Sequence, residues 1–124
     1  MNLRIDIELR SQILLVTATG EVALEPALRA LKQAFDTAKE QEVNKILVNT
    51  LAVEGELSTF ERYRLATGSV AHLRQLEMNP RIAFVGKPPT TNGFAVRVAQ
   101  NRDVTTQVFD TLQAALDWLD RWPG

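Results

Sequence analysis

Four short runs rich in aliphatic and β-branched residues, "QILLVTAT", "KILVNT", "RIAFVG" and "VTTQVF", are spaced along this chain with longer amphipathic stretches between and after them. Runs of this length read as strands, and strands whose two faces are both covered lose the polar alternation of an exposed sheet. Strands that alternate with amphipathic helices are joined by crossover connections. The result is a parallel sheet with helices packed against it.

The N-terminal residues add one strand of a different kind. Leu3, Ile5, Ile7 and Leu9 alternate with Arg4, Asp6, Glu8 and Arg10, the period-2 pattern of a strand with one wet face. With a turn at Arg10-Ser11, it forms an antiparallel hairpin with the "QILLVTAT" strand, which Gly20 ends. Pro26 then sits in a first helical turn, where a missing N–H is tolerated. Leu24, Ala27, Leu28, Leu31, Ala34, Phe35 and Ala38 follow as one helical stripe.

A second helix starts at Ser58, which with Glu61 forms an S-x-x-E capping box. It runs to about Glu77 with Phe60, Tyr63, Ala66, Val70, Leu73 and Leu76 as its apolar face. Gly68 costs it about 1 kcal/mol relative to Ala. A short third helix spans roughly 93–100, and a closing helix uses Leu112, Ala115, Leu116 and Leu119, with Trp118 and Trp122 at its margin. The expected order is β-β-α-β-α-β-α-β-α, an α/β fold with a mostly parallel five-stranded sheet, one antiparallel edge strand and four helices.

Composition narrows the function classes. A chain of 124 residues without a linker-like stretch is expected to form one domain, residues 1–124. The absence of Cys and of a signal-peptide pattern at the N-terminus suits the cytoplasm. No apolar run approaches the ~20 residues that cross a bilayer. Fourteen basic and fifteen acidic residues, interspersed, supply no basic surface for nucleic acid. Arg62, Arg64, Arg74 and Arg81 come nearest to a cluster. Glu54, Glu56, Glu61 and Glu77 lie among them, so a solvated mixed face is expected there.

Three sequence words, "VTATGEV" after the second strand, "ERYRLATGSVAHL" in the second helix and "VFDTLQAALDWL" at the end, accompany this element order. Together they resemble the STAS-like domains, which include the sporulation anti-sigma-factor antagonists. The resemblance spans nearly the whole chain and is strongest to the SpoIIAA-like bacterial branch, which shares features with Sec14-type lipid-binding domains. It implies a phosphorylatable Ser or Thr after the third strand, preceded by an Asp. Asn49 stands at the place of that Asp, "LAVEGEL" replaces the usual serine-rich turn, and Thr50, Ser58 and Thr59 are the hydroxyls nearby. A phosphate there would add nearly two negative charges beside Glu54, Glu56 and Glu61.

In open α/β sheets, ligands and partners meet the loops beyond the carboxyl ends of the strands. That end should collect Gly20-Glu21, a loop from Asn49 to Ser58, and "GKPPTTN" from Gly86 to Asn92. The last stretch borrows the letters of a phosphate loop. Its glycines are misplaced, however, and Pro88 and Pro89 have no N–H to wrap a phosphate. Thr90, Thr91 or Asn92 is expected to cap the third helix, with Lys87 beside it facing an acidic group.

His72, the sole histidine, lies three residues from Ser69 without a signalled orienting acid or oxyanion site. Cys and His are too few for a zinc site; no metal and no cofactor is implied. Trp118 and Trp122 suggest an apolar surface suited to a homodimer or a ligand cleft.

The leading expectation is a non-enzymatic regulatory domain that binds a protein partner through Asn49, Thr50, Ser58, Thr59, Lys87, Thr90 and Thr91, or self-associates as a dimer. The alternative is a carrier that holds an apolar or lipid-like ligand between the sheet and the second and third helices, where Phe60, Tyr63, Phe84 and Phe94 gather.

Overall fold

Apolar alternation in the first strand and its loss in the second are resolved by which faces the helices cover. The computed structural model describes residues 2–122. In order, the elements are β1 (Arg4–Arg10), β2 (Ile13–Glu21), α1 (Leu24–Gln41), β3 (Lys45–Glu54), α2 (Thr59–Leu76), β4 (Arg81–Val85), α3 (Phe94–Gln100), β5 (Thr105–Phe109) and α4 (Leu112–Asp120). The strands lie in sequence order across a five-stranded sheet, with β1 antiparallel to β2 and every later pair parallel. This is the element order and fold class that the hydrophobic pattern predicts.

A sheet that always grows in one direction through crossovers of one hand stacks its crossover helices on one face. The core is divided accordingly. Leu14, Val16, Ile46, Val48 and Ile82 pack against Leu31, Ala34, Phe35 and Ala38 of α1 and Leu73 of α2. On the opposite face Ile13, Leu47, Ala83 and Val85 meet Ala115, Trp118 and Leu119 of α4. Ile5 and Ile7 of β1 reach only the first cluster, so the strand needs one apolar face and keeps the other wet.

Several local expectations are corrected. The hairpin turn lies at Ser11-Gln12, one residue later than expected, because both residues adopt left-handed φ values of 52° and 68°. Two such residues match the twist of the flanking strands and leave Arg10 paired with Ile13. Gly20 does not end β2. It lies within the strand at φ 105°, where a side chain would collide with the Asn2 carbonyl.

The "loop" from Asn49 onward is mostly strand: β3 continues to Glu54, pairing Ala52, Val53 and Glu54 with Thr19, Gly20 and Glu21 beyond an irregularity between Thr17 and Thr19. A long neighbour offering free backbone groups extends β3 past its apolar run, and Val22 N–H closes the ladder on Glu54 O at 3.0 Å.

In α4, Trp118 is not at the margin but in the core, 7% exposed and 5.6 Å from Phe109 between ring centroids. Trp122 packs back too, its ring 3.5 Å from the Arg81 guanidinium. Leu112, expected in the stripe, is exposed. Of the pair expected at an interface, Trp118 is enclosed and Trp122 is half-buried beside Arg81.

Gly68 has a reason in the packing of α1 on α2. A Cβ there would sit 3.0 Å from both terminal methyls of Leu28, so the residue that weakens the helix alone lets the two helices approach.

Candidate functional site

At the carboxyl end of the sheet, β3, the start of α2 and the 86–93 segment are tied together by side chains. Thr50 Oγ1 donates to Val85 O at 2.8 Å and lies 3.0 Å from Thr91 Oγ1. Gly86 sits between these two hydroxyls, and a methyl group there would overlap both. Thr90 Oγ1 donates to Gly55 O at 2.6 Å, fastening the proline segment to the turn that follows β3. Asn49 accepts from Leu51 N–H at 3.0 Å, within the strand.

The residue that organises this end is Arg62. Expected on a solvated face, it is 7% exposed. Its Nε donates to Leu57 O at 3.0 Å, Nη1 to Thr90 O at 3.2 Å and to Asn92 Oδ1 at 3.1 Å, and Nη2 to Pro89 O at 2.8 Å. A segment with two consecutive prolines cannot satisfy its carbonyls through its own N–H groups. A planar guanidinium with five donors reaches several of them at once.

The buried stripe of α2 is therefore Arg62, Ala66, Ser69, Val70 and Leu73, at helical spacing, with two polar members. Ranking positions by hydrophobicity selects Phe60 and Tyr63 instead. These two are 65% and 42% exposed.

The start of α2 has the capping box read from sequence. Glu61 N–H donates to Ser58 Oγ at 3.1 Å and Ser58 N–H to Glu61 Oε1 at 2.9 Å. Ser58 is thus occupied as a cap, Thr50 is tied inside, and Thr59 is exposed on the first turn. Lys87 is also exposed. The cap of α3 differs from the three expected residues: the N-cap is Gly93 at φ 84°. Asn92 nonetheless contributes, its Oδ1 accepting from Phe94 N–H at 3.0 Å.

His72 and Ser69 do not form a nucleophile–base pair. Ser69 Oγ donates to Leu65 O at 2.7 Å. His72 Nε2 instead lies 2.7 Å from Asp36 Oδ1, and because a carboxylate only accepts, the imidazole supplies the hydrogen. The pair links α2 to α1. Among the described residues, no group of three or more His, Cys, Asp or Glu gathers in a way that could hold a metal ion. No helix there is long and apolar enough to cross a membrane.

Between the sheet and the layer of α1, α2 and α3 lies a cavity of about 150 Å³ with almost wholly apolar walls. Phe84 lines it. Phe60, Tyr63 and Phe94 do not. Arg62 and Thr106 are among the polar residues on its wall that were not singled out from sequence as ligand contacts. A buried stripe at helical spacing that includes an Arg was the available signal for the first; for Thr106 a β-branched strand residue carries no signal of its own.

Solved structures with this arrangement exist. An anti-sigma factor antagonist from Mycobacterium paratuberculosis superposes with a TM-score of 0.63 at 16% identity, over 96% of this chain and 95% of that one. The fold is SpoIIAA-like. A Shewanella loihica protein described as having a SpoIIAA-like fold gives 0.54 at 20% identity, covering 94% of this chain and 93% of its own. The anti-sigma factor antagonist SpoIIAA in its unphosphorylated form gives 0.55 at 16%, covering 94% and 98%. At these identities the likeness is one of fold. No family model and no curated protein sequence matches the chain.

Proposed function

We propose that this chain is a cytoplasmic, non-enzymatic regulatory domain that binds a protein partner through the turn at 55–58 and the exposed side of the first turns of α2. The exposure of Phe60 carries this reading. With Tyr63 one turn further on, it presents aromatic surface beside the exposed Ser58 and Thr59. Large aromatics left on a surface mark contact sites more often than isolated aliphatic residues do. The anti-sigma factor antagonists among the similar structures support a protein as the partner. Lys87, Thr90 and Thr91 belong to the same end, where Thr90 and Thr91 hold the segment in place and Lys87 is free to face an acidic group.

One variant tests it: Phe60→Asp alters a side chain that is 65% exposed and leaves the Ser58/Glu61 cap intact. Tagged wild-type protein should enrich a partner over a tag-only control, and Phe60→Asp should lower that enrichment at least tenfold at an unchanged unfolding midpoint. No enriched protein, or enrichment indifferent to Phe60→Asp, counts against the reading. Size-exclusion chromatography shows whether the partner is a second copy of the chain.

A further inference from the structure

The cavity between the sheet and the layer of α1, α2 and α3 combines a small volume with walls that offer a ligand almost nothing to hydrogen-bond. At about 150 Å³ it has the size at which a dry apolar cavity takes up one benzene ring. Pockets for drug-sized ligands begin at roughly 300 Å³. Val48, Val70, Leu73 and Ile82, all buried, are among its walls.

The side-chain donors on the wall are spent within the protein. Thr50 Oγ1 donates to Val85 O, Thr90 Oγ1 to Gly55 O and Ser69 Oγ to Leu65 O, while the Arg62 guanidinium is committed to Leu57, Pro89, Thr90 and Asn92. Thr106 Oγ1 has no partner among the described residues, but it is fully enclosed and a molecule in the cavity does not reach it. A ligand hydroxyl or amine would therefore lose its water and meet mainly methyl and methylene groups, which weakens binding about tenfold or more.

The cavity also shares its walls with the partner-facing end. Leu57, Arg62, Thr90, Thr91 and Asn92 line it, and the same residues carry hydrogen bonds that fasten the 86–93 segment to β3 and to the start of α2. A molecule packed inside touches the inner side of that segment. Occupancy of the cavity and opening of the segment then exclude each other.

We propose that the cavity is a binding site for a small uncharged molecule whose buried part is a single hydrocarbon ring without a hydrogen-bonding substituent, and that its occupancy holds the 55–62 and 86–93 segments closed. Apolar contact with the walls supplies affinity. The cost of burying an unpaired polar group supplies selectivity. The consequence for partner binding rests on the function proposed above, whereas the site itself does not.

Benzene and phenol are the probes, followed by amide chemical shifts of the intact chain. Benzene should bind saturably at millimolar concentration or below and shift the amides of Ala66, Ile82 and Val96, which line the cavity. Phenol should bind about tenfold more weakly or worse. At about ten times its Kd, benzene should slow hydrogen exchange of the Arg62 and Thr91 amides about tenfold, as linkage requires when a ligand binds only the closed state. The Trp122 amide, bonded to Leu119 O at the end of α4, should not change. Ala66→Leu fills the space from α2 and should abolish benzene binding. Phe60→Asp should keep it, because Phe60 does not line the cavity, so a failed partner capture and a failed cavity are told apart. If Ala66→Leu does not fold, the comparison of benzene with phenol and the exchange rates decide. The proposal is overturned if benzene does not bind, if phenol binds as tightly, if a folded Ala66→Leu binds benzene unchanged, if the Arg62 and Thr91 amides exchange equally fast with and without benzene, or if palmitate displaces benzene and binds more tightly.

Discussion

Arg62 shows how one side chain can set the geometry of a site. Its four hydrogen bonds go to Leu57 O, Pro89 O, Thr90 O and Asn92 Oδ1, all acceptors that belong to segments with few donors of their own. Replacement by Ala leaves these acceptors short of partners in a largely buried place. Arg62→Ala should lower the urea unfolding free energy by about 3 kcal/mol, the range for uncompensated buried polar groups. Arg62→Lys should recover less than half of that, since an ammonium cannot span the same set of acceptors. A full rescue by Lys would show that positive charge alone matters at this position. The sequence offered Arg62 as one basic residue among acidic neighbours. Its burial depends on the proline segment, 27 residues away, arriving over the start of α2.

At the scale of elements, caps and packing separate into what a short window of sequence contains and what it does not. The Ser58/Glu61 capping box is a local pattern with a local cause, and both of its hydrogen bonds are present. Gly68 is the opposite case: a weak point in an isolated helix whose reason lies in Leu28, on another helix. In a Leu28→Ala background, Gly68→Ala should stabilise the protein by about 1 kcal/mol, the ordinary helix-propensity difference. In the wild-type background the gain should be smaller by about 0.5 kcal/mol or more, the coupling a contacting pair shows. Denaturant unfolding of the four proteins measures it; additive effects would mean that the contact does not explain the glycine. The extension of β3 to Glu54 belongs to this scale as well. "LAVE" is as rich in aliphatic residues as the run before it but is set off from that run by Asn49 and Thr50, and it continues the strand by pairing with Thr19, Gly20 and Glu21.

Among the described residues, three helices lie on one face of the sheet and α4 covers part of the other. Strands β2, β3 and β4 are thereby enclosed at their centres, while β1 has one neighbour and one covered face. Hydrogen exchange should reflect this, with amides of Leu14, Ile46, Leu47, Ile82 and Ala83 slowest and those of Ile5 and Ile7 at least tenfold faster. Equal protection of β1 would mean that the sheet opens only as a unit. The element order and strand directions follow from sequence alone, because periodicity reports whether each segment has one covered face or two, and alternation of strands with helices leaves few connections available. The inward direction of Arg62, the outward direction of Phe60 and Tyr63, the burial of Trp118 in the core, the packing of Trp122 on Arg81, and the cavity that meets Thr106 were decided only by the tertiary structure. Each depends on atoms brought together from distant parts of the chain, and a residue's own hydrophobicity does not record which neighbours it will have.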